Sequence, residues 1–297
     1  MTNILVVIDP EETTHSALER IKEIPPTADV DYKVDLYFDA APVTAKRASS
    51  DILRKSIANK RERLEELVAP YIEMGYRITT EVVQISRLYE DVIKSARSYK
   101  ADFVFKPVRQ HGPLKRMFYT STDWNLIRMC PNDLLLVSDQ GSIRGKPVIA
   151  SVNISDEDSA HQELNKVVLE RANALADVLE AEVHLIYAYG PTVVMGGGAD
   201  PMAYQISKDK HEDEFKKAKA LASAHNILES NMKLREGTPD AVVTEYAEEV
   251  DAGIIVLGTV ARSGASGVFI GNTAETVLEK TKRDMFVIKL ETFKSPV

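Results

Sequence analysis

Several features that mark secreted, membrane-bound or metal-dependent proteins are scarce or missing in this sequence. The 297 residues include one cysteine, Cys130, so no disulfide can form within the chain and a reducing, cytoplasmic location is expected. No apolar run approaches the roughly 20 residues of a membrane-spanning helix, so no membrane partner is expected. The segment from Met1 to Asp9 has no basic leader, and it is expected to form a first strand and not a signal peptide.

Metal and nucleic-acid sites are not expected either. The six histidines are scattered, and neither an H-E-x-x-H motif nor paired C-x-x-C motifs occur. The net charge of −8 argues against non-specific binding to nucleic acid or to an anionic membrane. The charge is uneven, because residues 1–140 carry 20 basic and 21 acidic side chains whereas residues 141–297 carry 17 and 24. Any basic ligand-binding surface is therefore expected in the first half.

The sequence does contain a long internal repeat. Strand-like apolar runs alternate with helical segments in the order β-α-β-α-β-α-β-α-β, and this order occurs twice. Within the repeat, Phe118–Thr122 aligns with Phe269–Thr273. Strands separated by helices form parallel sheets with helices on both faces. The sequence therefore predicts an α/β protein with two tandem doubly wound, five-stranded parallel-sheet domains of Rossmann-like type, residues 1–140 and residues 145–297.

The expected ligand site in such a sheet lies beyond the carboxyl ends of the strands, where the strand order reverses. If the first and fourth strands are neighbours, Asp9 and Lys106 flank this switch point in the first domain, and Asn153 and Gly258 flank it in the second. The glycine-rich stretch Val256–Thr273 follows the fourth strand of the second domain and runs into a predicted helix, an arrangement that can cradle a phosphate. The loops after the first strands lack the glycine fingerprint of NAD and FAD sites.

Two long signatures resemble a known family. The first contains Gln110-His111, then Thr120-Ser121-Thr122-Asp123-Trp124, then Cys130-Pro131; the second contains Val256-Leu257-Gly258-Thr259-Val260, then Gly271-Asn272-Thr273-Ala274-Glu275. With these signatures the whole chain resembles the universal stress protein family in its tandem form, with two domains in one chain. The resemblance implies an adenine nucleotide alpha hydrolase-like fold. It also implies a cytoplasmic, stress-induced protein that often binds ATP and catalyses no well-defined reaction.

The family's nucleotide loop reads G-x2-G-x9-G-[ST], and the second domain matches it in part. Gly258 and Gly271 match, whereas Ala261 replaces the second glycine and adds a Cβ where a phosphate would approach. Asn272 replaces the hydroxyl residue and suits the N-cap of the next helix. The resemblance implies an adenine nucleotide, ATP or AMP, with Mg²⁺ if it is a triphosphate. Its contacts would be Asn153, Gly258, Thr259, Ala261, Gly264, Gly271, Asn272 and Thr273. The alternative is a capped strand-to-helix connection without a ligand.

The first domain has lost these glycines and carries basic residues in the same loop. Cationic side chains can replace backbone amides around an anionic group. The candidate contacts for such a group are Asp9, Lys106, Arg109, His111 and Thr120. The alternative is a solvated basic loop in which Thr120 caps the next helix and Asp123 completes a capping box. Binding of ATP in the family's manner is not expected in this half.

Two functions from different classes remain. The first is a ligand-binding stress-response module that holds an adenine nucleotide or a related phosphorylated ligand in the second domain. The second is a scaffold or chaperone-like stress protein that holds an apolar or lipid-like ligand, or none, with Val193–Met195 lining its cavity. No catalytic base or metal carboxylate is identifiable, so an enzyme is not expected, and slow hydrolysis of ATP ranks last. The two domains are expected to pack as an intramolecular pseudo-dimer, and two chains to form a homodimer.

Overall fold

The computed structural model describes most of the chain. The described residues are 1–9, 14–39, 48–108, 110–111, 116–117, 120–155, 158–190, 201–259, 262–264, 267–269, 277 and 280–297. They form two compact units, one of residues 1–142 together with 293–297, and one of residues 143–292. The division lies beside the turn-rich linker at residues 139–142. The last five residues group with the first unit, although the sequence assigned them to the second domain.

The first unit has a parallel five-stranded sheet in the order β7-β4-β1-β2-β3. Its elements are β1 (Thr2–Ile8), α1 (Ser16–Glu19), β2 (Val30–Phe38), α2 (Ala48–Glu73), β3 (Arg77–Gln84), α3 (Leu88–Tyr99), β4 (Phe103–Pro107), β5 (Gln110–His111), β6 (Arg116–Met117), α4 (Ser121–Met129) and β7 (Asp133–Val137). The first helix is short, because α1 is one α-helical turn that is continued by a 3-10 turn at Arg20–Glu23.

The second unit has the same arrangement, with a parallel sheet in the order β10-β9-β8-β11-β14. Its elements are β8 (Val148–Ser151), α5 (Ser159–Leu179), β9 (Val183–Tyr189), α6 (Pro201–Ala224), β10 (Met232–Glu236), α7 (Pro239–Glu249), β11 (Ile254–Gly258), β12 (Arg262–Gly264), β13 (Gly267–Phe269) and β14 (Asp284–Ile288). The helix predicted after the glycine-rich stretch lies largely outside the described residues.

The strand order confirms the predicted fold class. In each unit the chain runs outward from the first strand through the second and third, and then returns to the other side of the first strand. The switch points therefore lie between β1 and β4 and between β8 and β11, as predicted. Among the described residues, no helix combines the length and apolarity that a membrane span requires.

Two short antiparallel hairpins were not predicted. In the first unit β5 pairs with β6, and in the second unit β12 pairs with β13 so that Gly264 lies opposite Gly267. Each hairpin follows the fourth strand of its sheet. Strands of two or three residues are too short to show the alternation of apolar and polar side chains by which strands are recognised. The stretch that the sequence presented as a glycine-rich loop therefore contains a hairpin.

A buried polar cluster joins β2 to α3. The Asp35 carboxylate is completely buried, and it accepts hydrogen bonds from the hydroxyls of Ser95 and of Tyr37, the latter at 3.1 Å. Lys33 Nζ lies 3.4 Å from the same carboxylate and 2.5 Å from Glu81. Burial raises the pKa of Asp35, since a charge away from water is disfavoured. Asp35 therefore faces α3 and not water.

Candidate functional site

The switch point of the second unit holds a rigid asparagine. Asn153 lies just beyond β8, and both of its backbone groups bind the side chain of Asn165 on α5. The Asn153 amide donates to Asn165 Oδ1 at 3.0 Å, and Asn165 Nδ2 donates to the Asn153 carbonyl at 2.7 Å. The exposed Asn153 side chain accepts a hydrogen bond from Ser155 Oγ at 3.0 Å. The peptide is therefore fixed while the amide side chain faces outward.

Gly258, at the end of β11, is required by helix packing. A Cβ placed on Gly258 would lie 2.8 Å from Leu164 Cδ1 and closer still to Leu164 Cγ. Real Cβ atoms do not approach that closely, so α5 can lie against the sheet only because residue 258 has no side chain. The first glycine of the motif thus positions the helix that carries Asn165. Packing against Leu164 therefore explains why residue 258 is a glycine, without a direct contact to phosphate.

Thr259 is the third predicted contact that the structure describes in full. Its side chain is buried, and its amide donates to the Ile288 carbonyl at 2.9 Å. Its hydroxyl points to the same carbonyl at 3.5 Å. Both polar groups of Thr259 therefore face the end of β14. Gly264 lies in β12, and the remaining predicted contacts, Ala261, Gly271, Asn272 and Thr273, lie outside the described residues.

An aromatic cluster lies at the carboxyl end of β9, the strand next to β8. The half-exposed Tyr189 packs against His211 of α6 with ring centroids 4.5 Å apart. Tyr187 is buried, and burial together with nearby Glu214 raises its pKa to about 12 while Ser155 opposes the shift. The second unit therefore has an aromatic face on the same edge of the sheet as Asn153. The predicted lid at Val193–Met195 lies outside the described residues.

One candidate anion contact of the first unit, Lys106, is already paired with a carboxylate. Lys106 Nζ lies 2.6 Å from Asp123 Oδ1, both side chains are buried, and Lys106 also donates to the Pro107 carbonyl at 2.9 Å. An anionic ligand would have to compete with this carboxylate for Lys106. Asp9 lies directly after β1, and β1 is the strand that pairs with β4. Arg109 lies outside the described residues, and only the backbone of His111 is described, in β5.

Thr120 is the N-cap of α4. Its hydroxyl accepts from the Asp123 amide at 3.3 Å, and its amide donates to Asp123 Oδ2 at 2.7 Å. These two bonds form the capping box that the sequence predicted. Most of the basic loop before it lies outside the described residues. Asp123 therefore binds both Thr120 and Lys106.

Sequence reasoning missed the two residues of α5 that shape the second site. Leu164 belongs to the apolar stripe of the helix, and nothing in the sequence distinguishes it from other core leucines. Asn165 is different, because it is a buried amide in that stripe. A buried polar side chain needs partners, so an asparagine at such a position is a signal that the sequence does carry. Within the described residues, no group of three or more histidine, cysteine, aspartate or glutamate side chains could hold a metal ion.

The contact between Gly258 and Leu164 can be tested by unfolding. Overpacking a core typically costs about 1–3 kcal/mol, so Gly258→Ala should lower the free energy of unfolding in urea by that amount. Leu164→Ala on the Gly258→Ala background should recover part of the loss beyond simple addition, because it removes the clash. Gly190→Ala is the matched control, since a Cβ at Gly190 meets nothing within 4 Å. Equal effects of Gly258→Ala and Gly190→Ala would contradict this assignment.

The buried pair of Lys106 and Asp123 gives a second test. The aligned positions of the second half are Leu257 and Ala274. Lys106→Leu alone should lower the free energy of unfolding by about 3–5 kcal/mol, because it leaves the Asp123 carboxylate buried without a cation. Combining Lys106→Leu with Asp123→Ala should recover much of that loss, apart from about 1 kcal/mol for the lost cap. If the double variant shows the sum of the two single losses, the two side chains are not coupled.

Comparison with known proteins agrees with the geometry. The sequence model of the universal stress protein family matches residues 1–138 and 160–289. Universal stress protein E of Salmonella typhi and that of Escherichia coli are each 32% identical to this chain over 312 residues, covering 99% of this chain and 96% of either relative.

Solved structures share the fold across the whole length of the chain. A Pseudomonas aeruginosa protein of unknown function superimposes with a TM-score of 0.78 at 24% identity, covering 97% of this chain and 92% of the other. A universal stress protein from Archaeoglobus fulgidus gives a TM-score of 0.67 at 16% identity, covering 97% and 98%. With two matched domains, this chain belongs to the universal stress protein family of stress-response proteins, as a tandem member of the E type.

Proposed function

We propose that this protein is a cytoplasmic ligand-binding module of the stress response, and that its second unit binds an adenine nucleotide. ATP and AMP are the candidate ligands, with Mg²⁺ accompanying the triphosphate. The observation that carries the proposal is the fixed Asn153 peptide at the switch point between β8 and β11, with the β12–β13 hairpin following β11. Ligands of doubly wound sheets bind at this place.

The base and ribose fit the end of the site formed by β8 and β9. The outward Asn153 amide offers a donor and an acceptor, which suit the polar edge of a base or the hydroxyls of a ribose. Tyr189 and His211 offer a half-exposed aromatic face at the end of the neighbouring strand. Neighbouring strands lie about 5 Å apart, so both features are within the reach of one nucleoside. Aromatic faces bind bases by stacking.

The phosphates are assigned to the segment after β11. In this proposal the backbone of Gly264 and of residues 271–273 supplies N–H donors, and the start of the following helix favours negative charge. Gly258 contributes indirectly, because it allows Leu164 and Asn165 to approach the sheet. Ala261 and Asn272 depart from the family's motif, and we expect them to weaken the affinity for phosphate without moving the site.

The proposed role is binding and not catalysis. Asn153 and Asn165 are amides, Thr259 is turned toward β14, and none of the three can serve as a general base. Slow hydrolysis of ATP is a separate outcome, and an assay for released phosphate detects it. The alternative function, a scaffold that holds an apolar ligand or none, predicts that ATP leaves the stability of the protein unchanged.

Isothermal titration of the full chain with ATP and Mg²⁺ tests the proposal. Saturation at about 100 times the dissociation constant should also stabilise the protein by about 2.7 kcal/mol. Asn153→Ala should weaken binding about tenfold by removing the polar contact to the nucleoside, and Gly271→Val should abolish binding. Asn231→Ala is the control, because Asn231 precedes β10 at the opposite end of the same sheet.

Two results would contradict the proposal. The first is the absence of heat and of thermal stabilisation at millimolar ATP, which would favour the scaffold. The second is binding that Asn153→Ala and Asn231→Ala weaken to the same extent, which would place the nucleotide elsewhere.

A further inference from the structure

The second unit contains a cavity at the amino end of its sheet, opposite the switch point. It has a volume of about 360 Å³ and lies between the last turns of α5, the residues that lead into β9, and the connection from α6 to β10. Asn173 Nδ2 donates to the His225 carbonyl at 2.9 Å and so joins two of these segments. Small-molecule sites in proteins have volumes from about 300 to 1,000 Å³, so the cavity suits a small ligand.

The internal repeat identifies the same place in the first unit. Where α2 ends, the Tyr76 amide donates to the Tyr71 carbonyl at 3.1 Å, and where α6 ends, the Ile227 amide donates to the Ala222 carbonyl at 2.9 Å. Both pairs lie 151 residues apart in the sequence. The two helix ends therefore correspond residue by residue.

Aromatic side chains fill this place in the first unit. Tyr32 packs against Tyr76 with ring centroids 6.0 Å apart, the Tyr71 ring lies 6.4 Å from Tyr76, and all three tyrosines are buried. The second unit has smaller side chains at the three corresponding positions, which are Val183, Ala222 and Ile227. Where smaller side chains replace three packed rings, space is left open. This explains a cavity in the second unit at a place that the first unit fills.

The cavity has an apolar floor and an acidic rim. Ala176, Val183 and Ile227 are buried and form the floor. Asp177 and Glu182 are exposed carboxylates at the rim. No lysine or arginine occurs among the lining residues in the described part of the chain. The rim is therefore negative, in agreement with the acidic balance of residues 141–297.

The two carboxylates are not neutralised by a cation of the protein. Neither Asp177 nor Glu182 forms an ion pair with a lysine or arginine that the structure describes. Glu182 accepts a hydrogen bond from Asn231 Nδ2 at 3.0 Å, and His184 Nε2 lies 3.9 Å from it. Burial lowers the pKa of His184, and Lys233 lowers it further while Glu182 raises it. The imidazole is therefore largely uncharged at neutral pH and leaves the charge of Glu182 in place.

The first unit neutralises the corresponding carboxylate. Asp31 corresponds to Glu182 by the same spacing, and Arg77 Nε donates to the Asp31 carboxylate. After the end of α6 the second unit has Leu228 and Glu229 where the first unit has Arg77, and neither residue is basic. The second unit has thus lost both the aromatic filling and the cation that this place holds in the first.

We propose that this cavity is a second binding site, which takes a small aliphatic diamine. The two ammonium groups of the ligand bind Asp177 and Glu182 by charge-assisted hydrogen bonds. Its methylene chain lies on Ala176, Val183 and Ile227, where burial of apolar surface adds to the affinity. Anions are repelled by both carboxylates, and a neutral molecule gains nothing from either charge. This proposal does not depend on the binding of a nucleotide.

Titration calorimetry of the full chain with 1,4-diaminobutane tests the proposal, with 1-aminobutane and Mg²⁺ as comparison ligands. The titrations are made at low ionic strength, because salt screens exposed charges. The diamine should bind, 1-aminobutane should bind at least tenfold more weakly, and Mg²⁺ at the same concentration should not displace the diamine. Equal affinity for 1-aminobutane, displacement by Mg²⁺, or no binding of the diamine would each overturn the proposal.

Substitutions at the rim and the floor locate the binding. Asp177→Asn and Glu182→Gln each remove one charge without changing the size of the side chain, and each should weaken diamine binding about tenfold. Ile227→Tyr copies the first unit, fills the cavity and should weaken binding by at least as much. Glu170→Gln is the matched control, because Glu170 is exposed on the same helix as Asp177 and does not line the cavity.

The outcomes separate this site from general charge and from the nucleotide site. If Glu170→Gln weakens diamine binding as much as Asp177→Asn and Glu182→Gln do, the contact is one of general charge and the proposal is wrong. If Ile227→Tyr retains the melting temperature of the wild type and also its affinity for the diamine, the ligand lies elsewhere. Asn153→Ala should leave diamine binding unchanged, since Asn153 lies at the other end of the sheet.

Discussion

The close approach of α5 to the ends of β8 and β11 determines the site of the second unit. Leu164 occupies the space that a side chain at residue 258 would need, and the next residue, Asn165, binds both backbone groups of Asn153. One helical turn thereby sets the distance of the helix from the sheet and the orientation of the peptide at the switch point. The outward Asn153 amide and the hairpin after β11 depend on this approach, because both begin where those strands end.

The two units show how one strand order supports different chemistry. At the switch point the first unit places a buried ion pair, Lys106 with Asp123, where the second has Leu257 and Ala274. Beside the second strand the two units differ again, since the first has Leu36 where the second has the buried Tyr187.

The sequence predicted the fold well because periodicity and strand order are local signals. The alternating elements and the cap at Thr120 are confirmed, since both depend on residues a few positions apart. The sequence did not predict the partners of individual side chains. Lys106 was predicted to contact an anionic ligand, whereas it pairs with Asp123. Nothing in the sequence of β2 showed that α3 covers Asp35. Contacts between distant segments depend on packing geometry, which a residue pattern does not encode.

The central claim is that the second unit binds an adenine nucleotide at the ends of β8 and β11. A crystal structure of the full chain grown with ATP and Mg²⁺ tests this claim most directly. The account predicts nucleotide density beside Asn153 in the second unit. Nucleotide density in the first unit, with none beside Asn153, would contradict it.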